Sequence, residues 1–132
     1  MITGIGCDLS EIGRWEDDDA RSRLTGRWFC PEEREYILSR GKAAAQSAAG
    51  IFCAKEALVK ALGTGFSAVS SLDICVLHTP GGAPFYRLSG TAAEQAERVG
   101  AERFHLSISH DGGMAAAFCV AEAAQSKEEP CP

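Results

Sequence analysis

The chain has 132 residues, of which 45% are apolar and 23% charged. Such a chain is one domain, long enough to bury about two thirds of its unfolded surface without disulfide staples. The composition excludes a disordered tail, a collagen-like fibre and a coiled coil. Thirteen Lys and Arg against eighteen Asp and Glu leave a formal charge of -5. A duplex-binding protein carries a basic face, so nucleic acid is not the expected partner. An acidic partner would need a local basic patch, because the overall field repels it.

Met1 to Leu9 alternates and predicts a strand. Gly4, Gly6 and Asp8 share one face of it. Ser10 caps a short helix through about Asp17, and the acidic run Glu16 to Asp19 is expected at the surface. Ala20 to Phe29 predicts a helix carrying Arg21, Arg23 and Arg27. Pro31 followed by Glu32 and Glu33 marks a first helical turn, so Pro31 to Arg40 is a helix. The longest helix runs from about Ala43 to Leu62 and stops at Gly63-Thr64-Gly65. Leu72 to His78 and Phe85 to Leu88 are strands around a Pro80 to Pro84 turn. Gly90 to Val99 is an amphipathic helix. Phe104 to His110 and Met114 to Ala121 are strands joined at Asp111-Gly112-Gly113. Residues 1–124 form the domain, and Gln125 to Pro132 is a frayed tail. The class is α+β, with antiparallel strands packed against one long central helix.

The six cysteines are Cys7, Cys30, Cys53, Cys75, Cys119 and Cys131. None form a Cys-x-x-Cys pair, which argues against a zinc site. Four sit among apolar neighbours and read as small core residues. No secretory leader opens the chain, and no apolar run reaches the roughly 20 residues that span a bilayer. Free thiols in a reducing cytoplasm are the expectation, with no membrane partner.

Three constellations carry chemistry. Asp8 ends a glycine-bearing strand, where it can either hold a hard cation such as Mg²⁺ or cap the next helix. The glycines either admit a ligand or allow tight packing, and on the local pattern packing is favoured. In the long helix, Ala48, Ile51, Phe52, Leu58, Val59 and Leu62 form an apolar stripe. Lys55 falls within it and must snorkel out or meet an anion. Glu56 and Lys60 sit one turn apart at its edge. They are either a helix ion pair or a carboxylate and a lysine acting together on a pyrophosphate. Lastly, Phe104, Leu106, Ile108 and His110 share one strand face, and His105, Ser107 and Ser109 the other. These polar residues either bind phosphate and shuttle protons or make an ordinary polar face.

Gly4-Ile5-Gly6-Cys7-Asp8, the segment Ala54 to Gly65 (AKEALVKALGTG), and His105-Leu106-Ser107-Ile108-Ser109-His110 together resemble the ordered blocks of bacterial holo-acyl-carrier-protein synthases. These are the small 4'-phosphopantetheinyl transferases. The resemblance spans Met1 to about Glu122. It implies transfer of the phosphopantetheine arm of coenzyme A to a serine of apo acyl carrier protein, with release of 3',5'-ADP, in fatty acid biosynthesis. It implies Asp8 and Glu56 as Mg²⁺ ligands and Glu56 and Lys60 as catalytic, with Lys60 on the pyrophosphate. Gly63, Thr64 and Gly65 would lie beside the coenzyme. Lys55, His105, Ser109 and His110 complete the coenzyme-binding set. Arg14, extended by Arg21, would meet the carrier protein. A homotrimer with the coenzyme between subunits is implied as well. Two rival readings remain: a metal-dependent hydrolase of a nucleotide pyrophosphate, using the same Asp8, Glu56 and Lys60 with water as nucleophile, and a non-catalytic coenzyme-A-binding subunit, in which Asp8 and Glu56 would be unimportant.

The chain departs from the family pattern at four places. Ile51 precedes Phe52 where many relatives carry arginine, Cys53 replaces alanine, and Ala83 stands where lysine is frequent. The acidic run Glu16 to Asp19 follows Arg14 and should repel an acidic carrier protein.

Overall fold

The computed structural model describes residues 1–17, 21 and 26–125. Three strands form one antiparallel sheet in the order β1-β5-β4, where β1 is Ile2–Glu11, β4 is Arg103–Asp111 and β5 is Met114–Glu122. Strands β2 (Ile74–His78) and β3 (Pro84–Leu88) pair as a separate hairpin. Helix α1 is Pro31–Ser39, α2 is Ala44–Ala61 and α3 is Gly90–Val99. Helix α2 lies across the sheet and also meets α1 and β2. The expected α+β class and central helix are present.

The glycine face of β1 points at α2. A Cβ on Gly4 would lie 1.9 Å from the Ala61 carbonyl oxygen, and one on Gly6 1.9 Å from that of Ala57. These glycines are occupied by the helix and leave no room there for a ligand. The neighbouring β5 presents Ala115, Ala117, Cys119 and Ala121, all buried. Small residues on both sides let helix and sheet backbones approach closely. At the β4 to β5 turn, Gly112 and Gly113 have φ of +56° and +79°. Two successive positive values suit a tight hairpin and favour glycine.

Several boundaries differ from the sequence pattern. Strand β1 continues through Glu11, and Ile12–Trp15 is a 3₁₀ turn with Glu11 at its N-cap. Neither Ser10 nor Asp8 caps a helix. Ser71–Asp73 is a 3₁₀ turn that delays β2 to Ile74. The expected helix from Ala20 to Phe29 is described only at Arg21 and over 26–29; Arg21 and 26–28 are helical, and Phe29 lies beyond the helix end. Asp18, Asp19 and Arg23 lie outside the described residues, as does the tail beyond Gln125.

The stripe drawn on α2 proves too narrow. Only Gln46, Ser47, Glu56 and Lys60 of this helix are not buried. A helix enclosed on most sides needs apolar residues all round. Lys55 sits inside this enclosure with 0% of its side chain exposed. Its ammonium reaches the equally buried Glu33 carboxylate at 2.5 Å and donates to the carbonyls of Trp28 at 2.6 Å and Ser71 at 2.8 Å. Lys55 neither snorkels nor offers a charge to a coenzyme, so it leaves the expected binding set. Burial pushes Glu33 up and Lys55 down, and each partly restores the charge of the other.

The expectation of free thiols also fails at one pair. Cys30, before α1, and Cys75, in β2, form a disulfide. Cys53 and Cys119 are buried free thiols, and Cys7 is an exposed one.

Gly6→Ala should destabilise the fold by at least about 2 kcal/mol, because helix backbone rather than a flexible side chain must yield. Urea unfolding would read this as a lower midpoint. Lys55→Met should cost about 3–5 kcal/mol by stranding the Glu33 carboxylate. In a thermal melt, Glu33→Gln combined with Lys55→Met should recover part of that loss.

Candidate active site

Asp8, Glu56 and Lys60 converge where β1 passes the exposed part of α2. Close packing at Gly4 and Gly6 sets the height of β1 over the helix, and Asp8 follows one strand period later. Lys60 Nζ lies 3.2 Å from Asp8 Oδ1 and donates to the Cys7 carbonyl at 3.0 Å. Half of the Lys60 side chain remains exposed, at 51%, against 18% for Asp8. The ammonium is thus tethered and still open to an anion.

Glu56 is half-buried beside this pair. Burial first, and the Asp8 charge second, push its carboxyl above the usual carboxylate range, while Lys60 and Arg14 oppose the shift. Two carboxylates near enough to repel each other in a partly closed site form an arrangement that Lys60 relieves in part and a further cation would relieve more. Oxygen donors of this kind suit a hard divalent ion that keeps water and substrate oxygens in its other positions. Cys53 lies one helical turn before Glu56, and its thiol is pushed up to about 12 by burial and by Asp8. It donates to the Ala115 carbonyl at 3.5 Å and is no nucleophile at neutral pH.

The turn after α2 borders this cluster. Gly63 has φ of +71°, and Thr64 N donates to the Val59 carbonyl at 3.0 Å, closing the helix end. Arg14 is exposed and lies over the rings of Phe52 at 5.1 Å and Trp15 at 5.5 Å. Arg21 donates to the Trp15 carbonyl at 3.2 Å.

The third block divides between the two faces of the sheet. His110, on the α2 side, donates from Nε2 to the Gln46 carbonyl at 3.2 Å and packs against Gly50. It lines a groove with Ile51, His78, Gly82 and Pro84. Tyr36 stacks on His78 there, with ring centroids 4.0 Å apart and planes within 10°. His105 and Ser109 lie on the opposite face, and His105 Nε2 meets Glu122 Oε1 at 2.8 Å. Strand β5 separates β4 from β1, so His105 and Ser109 do not join the Asp8 cluster of their own chain.

Glu33 escaped the sequence reading. It looks like an ordinary first-turn acid, and only its position three residues after Cys30 hints at a capping role. The Cys30 amide donates to Glu33 Oε1 at 2.9 Å.

Comparisons with known proteins place the chain in a family. The model of the 4'-phosphopantetheinyl transferase superfamily matches residues 4–119. The holo-(acyl-carrier-protein) synthase of Trichlorobacter lovleyi is 45% identical over 126 residues, covering 93% of this chain and 99% of the relative. The crystal structure of the corresponding synthase from Neisseria meningitidis superposes with a TM-score of 0.82 at 34% identity, covering 92% of this chain and 99% of that one. The Bacillus anthracis synthase, in complex with CoA (3',5'-ADP), gives a TM-score of 0.78 at 35% identity over 94% and 99% of the two chains. The chain belongs to the holo-(acyl-carrier-protein) synthases, within the 4'-phosphopantetheinyl transferase superfamily.

Proposed function

We infer that this protein transfers the 4'-phosphopantetheine arm of coenzyme A to a serine of apo acyl carrier protein. The observation that carries this reading is the meeting of Asp8, Glu56 and Lys60 at the open part of α2. The carrier serine oxygen forms a bond to the phosphorus bearing the pantetheine arm. The bond from that phosphorus to the bridging oxygen breaks, and the electron pair leaves with 3',5'-ADP. The serine proton passes to base or solvent. Most of the protein's contribution to such a transfer is positioning and charge stabilisation.

Asp8 and Glu56 would hold Mg²⁺, which supplies charge neutralisation at the pyrophosphate. Lys60, anchored by Asp8 and the Cys7 carbonyl, presents its ammonium to a phosphate oxygen. Gly63, Thr64 and Gly65 border the passage of the coenzyme. The nucleotide end lies in the groove of His110, Ile51 and Pro84. Neither Ile51 nor Ala83 brings a cation to that groove, so nucleotide affinity there rests on packing and hydrogen bonds.

A homotrimer accounts for the remaining residues. The outer sheet face exposes Ile5, Leu9 and Phe118, at 62%, 67% and 55%. Together with Cys7 and Val120 they form an apolar surface suited to another copy of the chain. His105 and Ser109 share that face, where they reach a neighbouring subunit's coenzyme. Arg14 and Arg21 form the carrier-protein contact. Residues 1–124 act as one domain in the cytoplasm. Among the described residues, no helix is long and apolar enough to cross a membrane.

A mass spectrum of apo acyl carrier protein after incubation with this protein, coenzyme A and Mg²⁺ tests the reading. The expected result is a gain of one phosphopantetheine arm that chelation of the metal prevents. Intact coenzyme A and unmodified carrier would overturn it. Lys60→Ala should lower kcat/KM by about 10²-fold with little change in Tm, since an ion pair of a half-exposed lysine contributes little to stability. Phe118→Asp should yield monomers in analytical ultracentrifugation and abolish transfer; an unchanged sedimentation coefficient would reject this face as the interface.

A further inference from the structure

The Cys30–Cys75 disulfide belongs to the same bonded network as the catalytic helix. Glu33 is the hub. Its Oε1 accepts from the Cys30 amide and its Oε2 from the Val76 amide, both at 2.9 Å. One donor belongs to a disulfide cysteine, and the other follows the second cysteine in sequence. The same carboxylate holds Lys55, which precedes Glu56. Lys55 also binds the Trp28 carbonyl, two residues before Cys30. The bonded sulfurs therefore set the spacing of two amides that grip Glu33, and Glu33 grips the helix at the residue beside Glu56.

Cys30 and Cys75 are almost fully buried, at 5% and 3% exposure, so exchange requires a local opening of this corner. Arg87 Nη2 lies 3.5 Å from the Cys75 sulfur and pairs with Glu32 at 2.8 Å. The guanidinium stabilises a departing Cys75 thiolate, and the Glu32 carboxylate, whose Oε2 lies 3.6 Å from the same sulfur, offsets part of that help.

We propose that Cys30 and Cys75 form a redox-responsive staple whose closure fixes the Glu33–Lys55 anchor and, through it, the placement of Glu56. Opening requires a dithiol reductant. Its thiolate attacks Cys30 Sγ, the sulfur–sulfur electron pair leaves on Cys75, and a mixed disulfide forms at Cys30. The second thiol of the reductant displaces Cys30 and becomes part of the oxidised dithiol. Two electrons and two protons pass to the cysteine pair. A small-molecule disulfide such as oxidised glutathione reverses the exchange. In a reducing compartment the staple stands open, and oxidising conditions close it. Glu33 and Lys55 are positioning residues in this scheme.

The effect on catalysis rests on the functional reading above, whereas the effect on stability does not. The test compares the wild-type protein after dithiothreitol with the same protein after oxidised glutathione. Mass spectrometry counts the two hydrogens, a thermal melt gives Tm, and a Mg²⁺ titration of transfer gives the half-saturating metal concentration. Closure should raise Tm by roughly 10 °C, as for a disulfide closing a loop of this size. It should also lower the Mg²⁺ concentration needed, a shift that simple stabilisation of an already folded enzyme would not produce. Cys30→Ser/Cys75→Ser should sit at the reduced level and ignore the redox treatment. A protein that never loses the two hydrogens, or whose Tm and Mg²⁺ requirement match in both states, overturns the proposal. Absence of transfer in both states would count against the functional reading instead, and Tm with the hydrogen count would still decide whether the staple forms.

Discussion

The contact of β1 backbone with α2 backbone is the constraint on which the rest depends. Gly4 and Gly6 carry no Cβ, and the helix carbonyls of Ala61 and Ala57 occupy the space one would need. Ala115, Ala117 and Cys119 continue the same low surface across β5. The strand consequently lies as near the helix as van der Waals radii allow. Asp8 emerges from that strand beside the two charged positions that α2 leaves uncovered. Rigid backbone contact of this kind holds the three side chains in place better than loops would.

The buried Glu33–Lys55 pair works on the opposite side of the helix. Taking both charges out of water is costly, and the cost is offset only because every polar atom finds a partner. Glu33 has two amides and an ammonium; Lys55 has a carboxylate and two carbonyls. A hydrophobic pair of similar volume would hold the elements together without fixing their register so narrowly. Helix α2 is therefore pinned by dense packing beneath and by directional bonds above.

Much of this was legible in the sequence. Period-two alternation placed Asp8 with the glycines and separated His110 from His105 and Ser109, and the structure keeps both assignments. The run from Lys55 to Gly65 announced a helix and its glycine stop. The wheel placed Lys55 on the buried side, where it meets the anion Glu33; the coenzyme contact implied for it does not suit a fully enclosed side chain, and the stripe was too narrow because α2 has neighbours on most sides. The hub role of Glu33 was hidden because its partners lie far away in the chain, and a first-turn glutamate usually serves the helix dipole. The Cys30–Cys75 bond was equally invisible, since spacing of 45 residues carries no local pattern. Tertiary proximity decided these cases, and local periodicity does not encode it.

The exposed and enclosed surfaces of the chain also divide its evolutionary freedom. Nearly every substitution in α2 meets packed atoms, whereas Arg14, Glu16 and Asp17 on the turn after β1 face solvent. Glu16 and Asp17 can change without touching the cluster formed by Asp8, Glu56 and Lys60, whereas Arg14 acts on Glu56 through its charge. The surface charge of this turn is therefore far freer to vary than the enclosed helix beneath it.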